Sequence, residues 1–286
     1  MTPASELSWT ARIQGVVRDV SPAAVPFGSQ MHVCVDVTST NDLAARLAAD
    51  GAPEGTVVIA ASQSRGRGRR GATFHSPADA GLYLSTVLRP DAWPAAAHDP
   101  SGVVGAITLM AGVAVVGAAH AVGADRAELK WPNDVVVPNG PAPGWRKLAG
   151  VLTEASVDAA GRLQVIVGMG INVRAVPPQV GLEGVATSMT AAAGRPVTVD
   201  ETLAALLLSL ARAYRLLAVD GRLAVVEAWR RHAPSLRGRA VAWMEGTVRR
   251  TGVARDVDDA GALSVDTGVG TVALVAGEVT WEPPDA

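Results

Sequence analysis

Residues 61–77 read ASQSRGRGRRGATFHSP, and this stretch constrains the chain more than any other. Four arginines, Arg65, Arg67, Arg69 and Arg70, fall within six residues, with glycines at 66, 68 and 71. No acidic residue occurs between Glu54 and Asp79. TVVIAAS before the stretch and LYLSTVL after it have the composition of strands. The stretch is therefore a long loop on a sheet. Alternate glycines let the backbone come close to a ligand. The arginines are always-charged forks suited to carboxylate and phosphate. Such a loop expects an anionic ligand and closes over it. Taken alone, it fits equally a solvated basic segment or an arginine-rich nucleic-acid-binding segment.

The remaining composition narrows these choices. The chain has 286 residues, 49% of them hydrophobic, which suffices for one large domain and a small one. Formal net charge is −2, so the basic loop is a local feature and the whole chain is not a polyanion binder. The single cysteine, Cys34, leaves no disulfide framework or cysteine metal cluster and fits a reducing cytoplasm. The N-terminus lacks the basic-then-apolar order of a signal peptide. Residues 103–124 contain no Asp, Glu, Lys or Arg, a length that can cross a bilayer. They are mostly Ala, Gly and Val, and the acids Asp99 and Asp125 flank them without any Lys/Arg bias. A buried helix packed on a sheet is the expectation. Of the 25 basic residues only two are lysines, Lys130 and Lys147. Where Arg is the default cation, these mark positions that Arg does not suit.

In chain order, residues 1–30 read as an irregular segment, too short for a helix-turn-helix domain. MHVCVDV (31–37) reads as a buried strand. Ser39-Thr40-Asn41 follows, then a helix with Leu43, Leu47 and Ala48 as its apolar stripe, ending at Gly51. The Ser-Thr-Asn turn fits helix capping, and it fits a helix N-terminus that offers hydroxyl and amide groups to a polar ligand. A Pro/Ala linker (89–100) leads to Ser101, the expected cap of the long apolar helix. AELKWPNDVVV (127–137) reads as strand, turn and strand. Residues 138–145 form a loop tip, expected to be exposed. KLAG (147–150) opens the next strand, and LQVIVGMGIN (163–172) returns beside it. Residues 200–219 form an amphipathic helix with Asp200 as cap, and a second helix runs through Trp229. Beyond Pro234, short alternating runs separated by Gly or Asp-Asp turns read as a small all-β, barrel-like unit.

Four motifs in order make the chain resemble biotin–protein ligases. They are Ser39-Thr40-Asn41, GRGRRG (66–71), KWPND (130–134) with KLAG (147–150), and GMGIN (168–172). The resemblance runs over residues 31–282. It implies an α/β (α+β) fold: a mixed catalytic sheet with helices on one side over 31–235, then an SH3-like barrel over 236–286. It implies a two-step reaction, in which biotin and Mg-ATP give biotinyl-5′-AMP and pyrophosphate, and a lysine of a biotin carboxyl carrier domain then attacks the adenylate. Carried over by position, Ser39, Thr40, Asn41 and Gln63 hold the biotin head group, with Gly150 against it. Arg67, Gly68 and Arg69 cover biotin and the α-phosphate, and Lys147 acts with Arg67 as a catalytic cation. Arg70, Phe74, Lys130, Asn133 and Asn172 fall toward the nucleotide, and Asp134 is the candidate metal contact. Many members carry Trp where Phe74 stands, and Phe offers less stacking area and no N–H donor. The resemblance also implies a cytoplasmic ligase acting on acyl-CoA carboxylase subunits, monomeric or weakly dimeric, without DNA or membrane binding. The repressor members' DNA-binding domain is not expected here.

The chemistry needs these residue types. Joining a carboxylate to an α-phosphate brings two anions together, and arginines and an ammonium can neutralise both. The adenylate is a mixed anhydride, so a loop that covers it excludes water. Two rivals are weighed against this reading. A lipoate–protein ligase shares the fold, but KWPND and GRGRRG argue against it. A nucleic-acid-binding protein needs aromatic platforms and a broad basic face. The chain has only two Phe and two Tyr.

Overall fold

A computed structural model describes residues 3–78, 80–138, 144–174 and 185–282. Seven strands form one mixed sheet in the order β1-β2-β3-β7-β6-β5-β4. They are β1 (Met31–Val37), β2 (Val57–Gln63), β3 (Gly81–Leu88), β4 (Glu128–Lys130), β5 (Asp134–Pro138), β6 (Trp145–Val157) and β7 (Leu163–Asn172). β1 and β2 are parallel and the other neighbours antiparallel.

Alternation along the central strands sorts side chains between two faces. Val57, Ile59, Leu82, Leu84, Val165, Val167, Met169 and Ile171 enter the main core. Against that face lie α1 (Pro3–Val20), α3 (Pro100–Ala121) and α5 (Val199–Arg215), with α6 (Arg222–Arg231) packed behind α3. Val58, Val87 and Ile166 face the other way and meet Ala44 and Ala48 of α2 (Thr40–Ala49). The expected single layer of helices therefore holds for all of these but α2, which lies on the opposite face. That second face is where the arginine loop folds.

The apolar stretch 103–124 is largely α3. It is long and apolar enough to cross a membrane, as is 199–220, yet both pack against each other and the sheet. Only small side chains let α3 nest this closely. At Gly112 an added Cβ would stand 3.1 Å from Leu129 Cδ2.

Three local expectations are corrected. The segment 1–30 is not irregular throughout: residues 3–20 form α1, where Trp9, Ile13 and Val17 recur every four residues and bury a helical stripe on the core, and turns follow over 21–30. The cap of α3 is Asp99, whose carboxylate accepts from Gly102 N, with Pro100 rather than Ser101 opening the helix. Thr198, not Asp200, caps α5, in a reciprocal box with Glu201. Asp200 instead pairs with Arg12 of α1. In the 138–145 tip, Pro138 pairs with Trp145. Pro138, Gly144 and Trp145 are half-buried rather than exposed as expected, and residues 139–143 lie outside the described residues.

The C-terminal unit is a five-stranded antiparallel sheet in the order β11-β10-β9-β8-β12. Its strands are β8 (Ala240–Glu245), β9 (Val248–Val257), β10 (Leu263–Asp266), β11 (Thr271–Leu274) and β12 (Val279–Trp281). It is not a tethered appendage. Val241, Val257, Leu263, Val279 and Trp281 belong to the same apolar cluster as the seven-stranded sheet. Trp281 meets Trp145 edge to face at 6.2 Å, and Trp131 Nε1 donates to Gly261 O at 3.0 Å.

Candidate active site

A cavity of about 980 Å³, counting its open mouth, lies on the α2 face of the sheet. It is lined by Ser39, Thr40, Asn41, Gln63, Arg67, Gly68, Arg69, Arg70, Phe74, Lys130, Asn133, Asp134, Lys147 and Gly150. Twelve of these sit in the motifs read from the sequence, while Gln63 lies just before GRGRRG and Phe74 just after it. Asn172 is the exception. It does not line the cavity, and its amide donates to Thr187 O at 3.1 Å, tying the end of β7 to the segment before α4 (Met189–Ala193). It ends β7 beyond Gly168 and Gly170, and the segment it holds bonds Lys147 O through Thr187 N at 2.8 Å.

The floor comes from β7. Gly168 and Gly170 follow Ile166 on the α2 face. A Cβ at Gly168 would fall 2.1 Å from Asn41 Oδ1, and one at Gly170 would fall 2.6 Å from the Phe74 ring. GMGIN is thus a strand with two missing side chains, whose space Asn41 and Phe74 occupy. Phe74 is further braced edge-on by Tyr83 at 6.4 Å.

One end of the cavity is polar and uncharged. Ser39 holds the N-cap position of α2 but makes no side-chain capping bond. The capping alternative fails there, and the hydroxyl remains for a ligand. Gln63 Oε1 instead accepts from Thr40 N (2.8 Å) and Thr40 Oγ1 (3.1 Å), satisfying one of the free N–H groups that open a helix. Gln63 Nε2 donates to Ser76 Oγ at 2.8 Å. Below them Ser85, fully buried, bonds Thr40 Oγ1 at 2.7 Å and Asn41 Oδ1 at 2.6 Å.

The other end is cationic. The arginine loop is a hairpin, with Gln63 bridging Ser76 and Arg67 bridging Thr73. Arg70 sits at φ 54°, a left-handed conformation a non-glycine residue rarely adopts. Arg69 donates to Asn133 Oδ1 (3.3 Å) and to Gly277 O (3.0 Å), which fastens the loop to the C-terminal unit. Burial lowers the Arg69 pKa, against the pull of Asp134 and Glu278. Asn133 is fixed by its own amide bond to Val151 O at 2.8 Å.

The two lysines of the chain bracket one carboxylate. Lys147 Nζ lies 2.6 Å from Asp134 Oδ1, and Lys130 Nζ lies 3.8 Å from Oδ2. Lys130 is buried with its ammonium 5.0 Å over the Trp145 ring, and desolvation lowers its pKa. Lys147 Nζ is 3.1 Å from where a Cβ on Gly150 would stand.

Asp134 does not fit a dedicated metal site. Both its oxygens face ammonium groups, and among the described residues no three His, Cys, Asp or Glu side chains converge on a cation. Residues not anticipated from the sequence also shape the site: Asp42 and Glu154 pair with Arg67, Ser85 supports the polar end, and Glu278 and Val279 close one wall. Period two along β6 from Gly150 through Leu152 leads to Glu154 on the same face, so that one was within reach.

Residues 33–172 match the Biotin/lipoate A/B protein ligase family, and residues 244–280 match the Biotin protein ligase C terminal domain. The chain is 33% identical over 261 residues to the biotin–[acetyl-CoA-carboxylase] ligase of Mycobacterium tuberculosis, covering 87% of this chain and 88% of that one. It is 32% identical over 249 residues to the bifunctional ligase/repressor BirA of Bacillus subtilis, covering 85% and 71%. The fold matches the Aquifex aeolicus biotin protein ligase solved with biotin and ATP, with a TM-score of 0.72, 24% identity, and coverage of 90% and 100%. Two family modules in order and relatives matched over most of their length lead to one conclusion: the chain belongs to the biotin protein ligases of the biotin/lipoate A/B protein ligase family.

Proposed function

We propose that this chain activates biotin with ATP to biotinyl-5′-AMP and then transfers biotin to a lysine of a biotin carboxyl carrier domain of an acyl-CoA carboxylase. The observation that carries this reading is the two-ended cavity, with an uncharged hydrogen-bonding end beside a cationic one over a glycine floor. Ser39, Thr40, Asn41 and Gln63 suit a neutral polar head group. Arg67, Arg69 and Lys147 suit the carboxylate and α-phosphate that must meet. In the first step a biotin carboxylate oxygen attacks the α-phosphorus and pyrophosphate leaves. Lys147 and Arg67 offset the charge that gathers at the junction. In the second step the acceptor amine attacks the acyl carbon and AMP leaves. Mg²⁺ is a companion of the ATP phosphates in this reading, and no protein step is assigned to it.

The carrier partner is supported by the acetyl-CoA-carboxylase ligases among the relatives. The enzyme is further proposed to work in the cytoplasm as a monomer or weak homodimer, without binding DNA or membrane. Titration calorimetry with biotin and then ATP, followed by mass detection of biotinyl-5′-AMP, tests the core reading. Heat and adenylate with lipoate but not biotin would assign the enzyme to the other branch of the family.

A further inference from the structure

Arg67 is held by acids that neither the loop nor its neighbours supply. Its Nη2 lies 2.8 Å from Asp42 Oδ1 in the first turn of α2, and 3.0 and 2.9 Å from the two carboxylate oxygens of Glu154 on β6. These side chains are 36–42% exposed, and ion pairs at that exposure add little to stability. A role as a fold staple therefore explains them poorly. Glu154 is also anchored from below. Its Oε2 accepts from Asn41 Nδ2 at 2.6 Å, and Asn41 Oδ1 accepts from the buried Ser85 hydroxyl at 2.6 Å. A rigid chain of bonds thus reaches from the polar end of the cavity to an arginine that rides on a glycine-rich loop.

We propose that Glu154, assisted by Asp42, is a positioning residue for Arg67, gripping one guanidinium nitrogen so that the rest of the group meets the anionic junction of the adenylate. This rests on the biotin-activation reading above. The opposite effect is equally concrete: the carboxylates compete with the ligand for Arg67, and removing them tightens ligand binding.

Glu154→Gln separates the two, because the amide keeps the shape and an acceptor for Asn41 but loses the charge. Enzyme is loaded with biotin and ATP, and release of biotinyl-5′-AMP is followed in wild type, E154Q, R67A and the double variant. Positioning predicts that E154Q releases adenylate about fivefold faster, the scale of losing partly exposed ion pairs. In the R67A background E154Q should change release by less than about twofold, since the partner is gone. Hydrogen exchange of residues 64–74 in loaded enzyme should rise in E154Q, while the melting temperature of the ligand-free protein stays unchanged. Asp42→Asn, on the surface of α2, provides a second variant expected to act in the same direction. Release at or below the wild-type rate in E154Q, or an equal effect without Arg67, overturns the proposal. Failure of wild type to form any adenylate overturns the functional reading instead, and this inference with it.

Discussion

At the scale of single residues, the site depends on atoms that are absent as much as on those present. Gly168→Ala would place a methyl 2.1 Å from Asn41 Oδ1, with buried Ser85 behind it. Overpacking of this kind costs about 1–3 kcal/mol. Expressed as biotin affinity that is about fivefold to 150-fold, measurable by calorimetry. Lys147→Arg keeps the charge but replaces a compact ammonium with a planar fork. With Asp134 at 2.6 Å on one side and Gly150 on the other, the fork displaces the carboxylate from its line of attack. A shift of about 1 Å can cost on the order of 100-fold. Pyrophosphate release should fall by at least that factor, with biotin binding weakened less. Release within about threefold of wild type would remove Lys147 from the catalytic set. The motif residues were legible because a loop or turn presents them as a local run. Asp42, Glu154 and Glu278 were not, because their relevance arises only when distant segments meet at Arg67 and Arg69.

At the scale of elements, strands and turns were readable from alternation and from Gly or Pro punctuation, and so were the β4–β5 and β6–β7 hairpins, while the pairing of β1, β2, β3 and β7 came only from the structure. Helix starts were read less well. Asp99 and Thr198 each lie two residues from the expected cap, and only side-chain geometry distinguishes such neighbours. The N-terminal helix was missed because proline, serine and alanine outweighed a three-residue apolar stripe. Apart from Phe74 at its C-terminal end, the arginine hairpin is tied down by polar bonds and ion pairs rather than apolar anchors. It should therefore exchange amide hydrogens readily without ligand and become protected with biotin or adenylate. Equal protection of residues 64–74 in both states would refute this. The C-terminal end of α6 carries a pH dependence. His232 stacks edge-on to His120 at 5.4 Å and hands its carbonyl to Leu129 N of β4. Burial, then His120 and Arg231, lowers its pKa. The unfolded chain binds that proton more readily, so stability is full above about pH 6.5 and declines as pH falls below it. The melting temperature should drop across that window, and less so in His232→Gln.

At the scale of the whole molecule, the C-terminal sheet is part of the enzyme rather than an accessory. Glu278 and Val279 line the cavity, Gly277 O holds Arg69, and Trp281 packs on Trp145, which in turn lies beneath Lys130. A 1–235 truncation should lose carrier biotinylation and expose part of the shared core. Full-length rates from that fragment would deny the C-terminal sheet any role in closing the site. The same economy of contacts has a chemical consequence. An acyl adenylate that escapes will acylate exposed amines, and the nearest protein is the enzyme that made it. This surface carries its positive charge almost wholly as guanidinium, which does not form such amides under mild conditions. Of the two side-chain amines, Lys130 is 8% exposed, and Lys147 is 35% exposed and held against Asp134. The folded enzyme is therefore a poor target for its own product. Incubated with excess biotinyl-5′-AMP, it should acquire little biotin on these lysines, whereas the urea-unfolded chain should acquire it on both.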